Sequence, residues 1–412
     1  MPHPPSLQRQ LLRVARSTGK QRRLHRLNSH QFRGLMTLEA PHEQRLQVSN
    51  AQSSLPAAYY RGGTSRALFF RRKDLPEDKS QWDGIFLGTI GSPDRYGRQL
   101  DGMGGGISSL SKVCVVEPSD DSDVDVDYTF VSIGIKDTSV DYSSNCGNMS
   151  AAVGPFAINS GMVEVPRGAT STTIRIRNTN TEKMINATFP VVNGEAAASG
   201  DYSIDGVSGT AARVQLDFVG PGGSRTGKLL PTGNTTDRVA GVRATLIDVG
   251  NPCCFVLASD LGIPGTLSSQ QIDEDDSLKK RLEAIRLEAA VKMGLATSIY
   301  DVAGSVPKIG FVSQPHSRSD GDVTIRAMSV GQPHKAIPVT VALAVAAAAK
   351  ITGSTIEQCL IKPRDDSDLG IDINHASGKL NVDATYDSQG HLEVATVFRT
   401  ARRLMEGRVF WK

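Results

Sequence analysis

The feature that most constrains the fold is an internal repeat of three elements in the same order. Each half has a small-residue turn before an apolar strand pattern, a Lys that opens a second strand pattern, and a polar tripeptide before an Ala-rich helical pattern. The first-half elements are Gly63-Thr64-Ser65, Ser111-Lys112-Val113 and Cys146-Gly147-Asn148, and the second-half elements are Gly250-Asn251-Pro252, Pro307-Lys308-Ile309 and His334-Lys335-Ala336. Three matches in one order predict two similar domains whose motif loops meet in one cleft.

Length and composition agree with two domains of mixed structure. The chain has 412 residues, 39% of them hydrophobic and only 5% aromatic, with 40 Gly, which is ordinary for an α+β protein. No apolar run reaches the roughly 18 residues of a membrane helix, so no membrane partner is expected. The most apolar stretch, 339–349, reads as a buried core helix.

The positive charge is confined to the N-terminus. Residues 1–50 carry nine Lys and Arg against two Glu, whereas the other 362 residues have a net charge near −4. An Arg-rich segment with Leu7, Leu11 and Val14 at near-helical spacing is typical of a mitochondrial transit peptide, and the alternative is a disordered basic tail on a cytosolic protein. Nucleic-acid binding is not expected, because no binding motif accompanies the basic residues.

The five cysteines point to free thiols in a reducing compartment. They stand at 114, 146, 253, 254 and 359, without a CxxC pair or a Cys/His metal spacing. A structural metal site and a disulfide framework are therefore not expected.

Hydrophobic periodicity predicts the elements that would carry the repeat. Strands are predicted over 67–70, 113–116, 128–135, 172–177, 186–192, 214–218, 244–249, 255–257, 307–312, 324–330, 379–382 and 391–398, and helices over 148–158, 277–293 and 337–351. Ser277 is the predicted N-cap of the second helix. We expect residues 1–55 to lie outside the fold, a first domain over 56–205 completed by 393–412, and a second domain over 206–392.

Cys146 and Lys112 are the candidate catalytic residues. A thiol just before a helix experiences the positive end of the helix dipole, which favours the thiolate; the alternative is a buried structural Cys. Lys112 stands directly before a strand that should be buried, where a desolvated amine can act as a base. The alternative is a Lys whose ammonium reaches solvent at the strand end.

The loops beside these residues suit an anion. Gly-, Ser- and Thr-rich turns at 61–66 and 102–109 would present backbone N–H groups and hydroxyls, which bind carboxylates as well as phosphates. The second loop lacks the P-loop pattern, and its Lys enters a strand, so nucleotide binding is not predicted. His334, placed by the repeat opposite Cys146 at a helix start, could bind an anion or relay a proton, or could be structural. His375 lies in a segment that resembles a turn.

Together these residues resemble the PrpF-type isomerases, a family that includes methylitaconate, 2-methylaconitate and aconitate isomerases and oxalomesaconate tautomerase. The resemblance covers the chain from about Ala57 to the C-terminus. It rests on Arg61-Gly62-Gly63-Thr64-Ser65, Asp101-Gly102, Gly104-Gly105, Ser111-Lys112-Val113, Asn145-Cys146-Gly147-Asn148, Asp248-Val249-Gly250-Asn251-Pro252, His375, Ser377-Gly378 and the segment 399–407.

The resemblance implies a diaminopimelate-epimerase-like fold of the α+β class, with two pseudo-symmetric domains, each a strand-rich barrel around a central helix, and a site in the cleft between them. It implies no cofactor and no metal, with Lys112 and Cys146 as the acid/base pair and Lys112 as a base of depressed pKa. The expected substrate-binding residues are Thr64, Ser65, Arg66, Ser109, Gly147, Asn148, Asn251, Lys308 and His334. The related epimerases use one Cys per domain, but the second-domain counterpart near 332–334 contains none, which argues against two-thiol racemisation.

The expected activity is therefore allylic isomerisation of an unsaturated di- or tricarboxylate, by a double-bond shift or a cis–trans change. The alternatives are keto–enol tautomerisation of an oxalomesaconate-like acid, and a non-catalytic relative that binds a ligand. The sequence is compatible with a homodimer but does not fix the oligomeric state.

Overall fold

The computed structural model describes residues 51–361 and 370–412. The predicted transit peptide lies outside the described residues. The first strand already begins at Ser53, so residues 53–55, expected to precede the fold, belong to it. None of the helices in these two ranges is long and apolar enough to cross a membrane.

Eighteen strands and six α-helices make up the described chain. The strands are β1 Ser53–Gly62, β2 Ser65–Arg71, β3 Lys112–Pro118, β4 Val126–Ile133, β5 Val140–Asp141, β6 Ser171–Asn178, β7 Lys183–Val192, β8 Glu195–Ala196, β9 Arg213–Val219, β10 Asp237–Val239, β11 Val242–Val249, β12 Asn251–Leu257, β13 Lys308–Ser313, β14 Val323–Ser329, β15 Gln332–Pro333, β16 Ile371–His375, β17 Gly378–Tyr386 and β18 Leu392–Trp411. The helices are α1 Trp82–Ile90, α2 Gly147–Asn159, α3 Ala258–Leu261, α4 Ser269–Glu274, α5 Asp276–Lys292 and α6 Val339–Ala349.

Eight strands close into a mixed barrel around α2. The order around the barrel is β1–β2–β3–β4–β6–β7–β9–β18, and β18 pairs back to β1. The β2–β3 and β4–β6 pairs are parallel and the others antiparallel. Residues 147–158 of α2 are all buried, because the closed sheet surrounds the helix on every side.

A second set of strands repeats this pairing order around α6. Its order is β11–β12–β13–β14–β16–β17–β18, again with the second and fourth pairs parallel. The two ends of this second set are β11 and β18. They are linked through β9, because β18 pairs with β9 and Gly222, just beyond β9, forms a bridge with Val249 of β11. The strands β9 and β18 therefore serve both sets.

The composition of the helices explains where they lie. Every residue of α6 is buried, and its sequence of Val, Ala, Leu and Thr has no charged face that could meet water. Helix α5 instead buries one stripe, with Leu278, Leu282 and Ile285 packed against β11, β12 and β13. Helix α1 covers the outer face of β1–β4 in the same way.

Most predicted strands and helices are present, with differences at their ends. Helix α5 is capped by the side chain of Asp275, which accepts from the Leu278 N–H at 2.9 Å; the predicted cap, Ser277, lies inside the first turn. Helix α6 begins at Val339 after Pro338, so His334 precedes the helix by five residues and is not at its start. His375 ends strand β16 instead of lying in a turn.

Candidate active site

A small cavity lies where the N-termini of α2 and α6 approach each other. Its walls combine amines, hydroxyls, amides and one thiol. They are formed by Ser65, Lys112, Phe130, Ser132, Ser144, Asn145, Cys146, Gly147, Asn148, Lys308, Ser329, His334, Pro338, Val339 and Thr340. The cavity therefore brings together seven of the eleven predicted site residues.

Lys112 is held at the beginning of β3. It pairs in register with Ser132 of β4, and only 8% of the residue is exposed. Its Nζ lies 5.0 Å from the centre of the Phe130 ring, an arrangement that stabilises an ammonium through the electron-rich ring face. The Lys112 ammonium therefore does not reach open solvent, which was the alternative expected from the sequence.

Lys308 occupies the corresponding first position of β13 and is equally buried, at 8% exposure. Burial lowers the pKa of its amine to about 8, and the positive charge of Lys112 adds to that effect. Lys308 thus has a depressed pKa of the kind that a general base requires.

Cys146 carries the one thiol of the five that is not buried. It is the N-cap residue of α2, without a side-chain bond to the helix. Burial raises the pKa of Cys254 to about 12 and that of Cys359 to about 11, and places those of Cys114 and Cys253 well above their usual value. Cys146 is therefore the thiol open to chemistry.

The two helix ends touch at Gly147. A Cβ at this position would lie 2.6 Å from Cγ1 of Val339, so only glycine permits the observed approach of α2 and α6. Neither helix has a side-chain cap, and residues of both first turns line the cavity. Two such ends favour a negatively charged ligand.

Asn251 joins the two halves of the site. Its Oδ1 accepts from the Asn145 N–H at 3.0 Å, and its Nδ2 donates to the Asn145 carbonyl at 2.7 Å and to Oγ1 of Thr340 at 3.2 Å. The carboxamide is fully buried and its hydrogen bonds are used within the protein. Asn251 therefore positions the Cys146 loop against α6 instead of presenting a free group to substrate.

Asn148 is oriented by Arg399. The Nε of Arg399 donates to Oδ1 of Asn148 at 3.1 Å, and Nδ2 of Asn148 donates to Oγ1 of Thr64 at 3.2 Å. Because an arginine can only donate, the amide orientation is fixed. Burial lowers the pKa of Arg399 to about 10, yet its guanidinium stays cationic and adds positive charge behind Asn148.

His334 is a neutral imidazole in this setting. Its Nδ1 accepts from the Ala336 N–H at 3.1 Å, so its proton resides on Nε2. Burial lowers the pKa of the ring to about 3, helped by the charges of Lys112 and Lys308. It can therefore donate a hydrogen bond to an anion without itself carrying charge.

One carboxylate acts on Lys308. Asp141 of β5 accepts from the Ser143 N–H at 2.7 Å and from the Ser305 N–H at 3.0 Å, and Oγ of Ser143 lies 2.8 Å from Oγ of Ser305. These bonds hold the pKa of Asp141 below its usual value although burial opposes them. Asp141 thus ties the loop before Lys308 to the loop before Cys146.

Some predicted site residues lie elsewhere. Arg66 follows cavity-lining Ser65 in β2 and points to the opposite face, where its guanidinium lies 5.6 Å from the Tyr59 ring. Ser109 is not among the cavity-lining residues, and Thr64 reaches the site only through Asn148.

The sequence reasoning also missed several cavity residues. Ser132 is paired with Lys112, and Ser329 is the last residue of β14, the strand that pairs with β13 of Lys308. In each half of the repeat, a Ser lies at or near the end of the strand that follows the strand opened by Lys, and this pattern could have identified both residues. Thr340 of the cavity wall had no such local signal, and neither had Asp141 and Arg399, which lie outside the wall and act on Lys308 and Asn148.

No cluster of three or more His, Cys, Asp or Glu side chains that could hold a metal ion occurs in residues 51–361 and 370–412. The donors in the cavity are instead amines, amides and hydroxyls, a set that favours an anionic ligand over a cation.

The closed eight-stranded mixed barrel around a buried helix is consistent with an epimerase-like fold. The sequence matches the family described as PrpF protein over residues 52–412. A 2-methyl-aconitate isomerase of Shewanella oneidensis is 38% identical over 388 residues, covering 87% of this chain and 97% of the relative. A (4E)-oxalomesaconate Delta-isomerase of Novosphingobium sp. is 39% identical over 358 residues, with coverages of 87% and 97%.

A solved structure agrees with these relatives. The crystal structure of a methylitaconate-delta-isomerase is similar with a TM-score of 0.70 and 37% identity, covering 87% of this chain and 96% of that one. The chain belongs to the PrpF family, and it is an isomerase. The predictions of family and of an isomerase activity are thereby confirmed.

Proposed function

We propose that the chain isomerises an unsaturated di- or tricarboxylate of the aconitate, 2-methylaconitate or methylitaconate type. The reaction moves the double bond or changes it from cis to trans by transferring protons at carbon. The observation that carries the proposal is the cavity itself, where two buried amines and the one accessible thiol lie beside two uncapped helix ends.

The charges of the site favour a substrate with several carboxylates. Lys112 and Lys308 line the cavity and Arg399 stands behind Asn148, whereas Asp141 is the carboxylate that acts on Lys308. Because burial weakens solvent screening, this excess of cationic groups attracts anions more strongly than an exposed cluster would. Neutral His334 adds a hydrogen-bond donor. The relatives are named for 2-methyl-aconitate and oxalomesaconate, and these polycarboxylates agree with such cationic and donor groups.

Proton transfer can proceed without a cofactor. A base removes a proton from the carbon next to the double bond, and the C–H electron pair spreads over three carbons and the attached carboxylate. The α2 N–H groups stabilise that carboxylate as its charge grows. Returning a proton to the far carbon forms a new C–H bond and re-forms the double bond one position along. Lys112 and Cys146 are the pair we assign to these transfers.

We also propose that the two strand sets are pseudo-symmetric domains, with the cavity as the cleft between them. Three features support this proposal. The two sets share one pairing order, each surrounds a buried helix, and Lys112 and Lys308 hold equivalent places at the start of β3 and β13. The proposed domain limits are 56–205 with 393–412, and 206–392, except that β9 and β18 are shared by both strand sets. Counted from the helix starts, the counterpart of Cys146 is Pro338, which cannot serve as a second thiol.

Tautomerisation of an oxalomesaconate-like acid is the second candidate. It is favoured by the similarity to a 4-oxalomesaconate tautomerase of Pseudomonas putida and needs the same groups, because an enol–keto exchange also moves one proton to carbon.

A substrate panel tests the proposal. Purified protein is incubated with cis-aconitate, 2-methylaconitate, methylitaconate and oxalomesaconate, and products are identified by proton NMR. We expect one acid to be converted into a double-bond isomer, and Lys112→Ala to abolish conversion while retaining the wild-type circular dichroism spectrum. Full activity of Lys112→Ala would contradict the assignment of the amine, and no conversion of any acid would contradict the proposed function.

A further inference from the structure

The two amines of the cavity come from different strand sets. Lys112 opens β3, Lys308 opens β13, and both line the same cavity. Among the described residues, neither amine has an ion pair with a carboxylate within 4.0 Å. A site that only had to bind carboxylates would gain from two fixed ammonium ions, but two like charges in one buried space oppose each other.

Their surroundings divide the roles. The Lys112 ammonium has an aromatic ring 5.0 Å away, which favours its charged form. Lys308 has no aromatic ring contact within the described chain, and burial disfavours its charged form. The Lys112 ammonium therefore has an aromatic partner that Lys308 lacks, and burial favours the neutral form of Lys308.

We propose that Lys308 is a further catalytic residue, which in its neutral form removes the proton from the end of the allylic system that faces β13. Lys112 and Cys146 then serve the other end. The inference rests on the proposed function and assigns a group to each end of the double-bond shift, instead of leaving both ends to the first strand set.

The proposed proton transfer needs no oxidant, reductant or co-reactant. The Lys308 Nζ lone pair takes the proton as the C–H bond breaks, and the electron pair spreads over the allylic carbons. The Cys146 S–H then gives its proton to the far carbon, forming the new C–H bond. Lys112 returns a proton to the thiolate and is refilled from water, while the Lys308 ammonium releases its proton to water. The reverse reaction uses the same groups in the opposite order.

The charges around Lys308 set the pH at which it works. Lys112 favours the neutral amine, whereas Asp141, Cys146 and Cys253 favour the ammonium; His334 is neutral. On its outer side, Lys308 also lines a neighbouring cavity formed with α5, whose charged members are Lys279, Lys280, Glu283 and Arg286. The pKa of Lys308 is about 8 in this setting, so a measurable share of the amine is neutral at neutral pH.

Two substitutions separate catalysis from binding. Lys308→Arg keeps the positive charge but cannot become neutral at these pH values, and Lys308→Met removes both charge and base. With the acid that the wild type converts, we expect both variants to lose at least about 100-fold in kcat, the usual scale for a general base, while Lys308→Arg changes KM by less than about threefold. Lys73→Met, at an exposed position that lines neither of these two cavities, is the matched control and should retain wild-type kinetics.

Two readouts test the role beyond simple loss of activity. The wild-type kcat/KM should rise with pH through about 8, and Asp141→Asn should move this rise to lower pH because it removes a charge that favours the ammonium. In D2O, Lys308→Met should lose deuterium exchange at one allylic carbon and keep it at the other. Thermal unfolding of each variant shows whether it is folded.

Different failures have different meanings. If the wild type converts an acid and Lys308→Arg retains its kcat, or if Lys308→Met still exchanges both carbons, the inference is wrong and the proposed function stands. A binding role alone would raise KM in Lys308→Met and be restored in Lys308→Arg without a change in kcat. If the wild type neither converts nor exchanges any acid, the proposed function fails and the inference fails with it.

Discussion

Replacing Asn251 by alanine should both destabilise the protein and displace the thiol. The substitution removes three buried hydrogen bonds, of 3.0, 2.7 and 3.2 Å, and leaves the buried N–H and carbonyl of Asn145 without these partners. An unsatisfied buried backbone group costs about 1–3 kcal/mol. With two such groups and a small loss of packing, we expect unfolding to become about 3–4 kcal/mol easier.

The measurement is urea-induced unfolding followed by circular dichroism at constant pH. Thr340→Val removes one of the three bonds and should cost about 1 kcal/mol. Asn381→Ala removes an amide donor from the exposed surface, where Asn381 bonds Asp372 at 2.9 Å, and should stay within about 0.5 kcal/mol of the wild type. A loss below about 1 kcal/mol in Asn251→Ala would refute the view that this carboxamide holds the Cys146 loop against α6.

Three further predictions follow from the same structure. Iodoacetamide at pH 7.5 should label Cys146 of the folded chain and spare the four buried cysteines, as read by peptide mass spectrometry; rapid labelling at any other Cys would count against the described burial. Gly147→Ala should cost about 1–3 kcal/mol because its Cβ would meet Val339, whereas Gly84→Ala in α1, with open space at its Cβ, should be neutral or slightly stabilising; equal unfolding midpoints would contradict the close helix contact. Burial and the charge of Arg399 lower the pKa of His375 to about 4, so its contribution to stability is complete above pH 6.5 and is lost as pH falls towards 4, by at most about 1.4 kcal/mol per pH unit. In urea titrations between pH 7 and pH 5, His375→Asn should therefore lose less stability per pH unit than the wild type. An unchanged slope would show that His375 titrates normally.

The repeat allowed much of the barrel and the core of the site to be predicted. A Lys at the start of a buried strand and a Cys before a small-residue helix are local signals, so Lys112, Cys146 and Lys308 could be found from neighbouring residues alone. Their meeting in one cavity was predicted because the repeat placed them at equivalent positions. What the repeat could not indicate was the setting of each amine, because the Phe130 ring beside Lys112 and the Asp141 charge that acts on Lys308 come from other strands.

Two errors have simple structural causes. Consecutive residues of a strand face opposite sides, so Ser65 and Arg66 could not both face the cavity. The apolar run that predicts α6 does not show its first turn, because Pro338 ends the extended segment and Ala336 and Ile337 stay outside the helix.

Other features could not be predicted from local sequence. Arg399 contacts Asn148 across 251 positions, and Asn251 contacts Asn145 across 106. No periodicity identifies such partners. Asn251 was found as a site residue, but its role as a link between α6 and the Cys146 loop required the hydrogen bonds themselves.

The most direct test of the central claim, that the chain moves protons between carbons of an unsaturated polycarboxylate, is proton NMR of the reaction in D2O. With the acid that the wild type converts, we expect a product whose double bond is shifted or changed in geometry. This product should carry solvent deuterium at the newly protonated carbon. An isomer formed without deuterium from the solvent, at any stage of the reaction, would contradict proton transfer through separate groups of the protein.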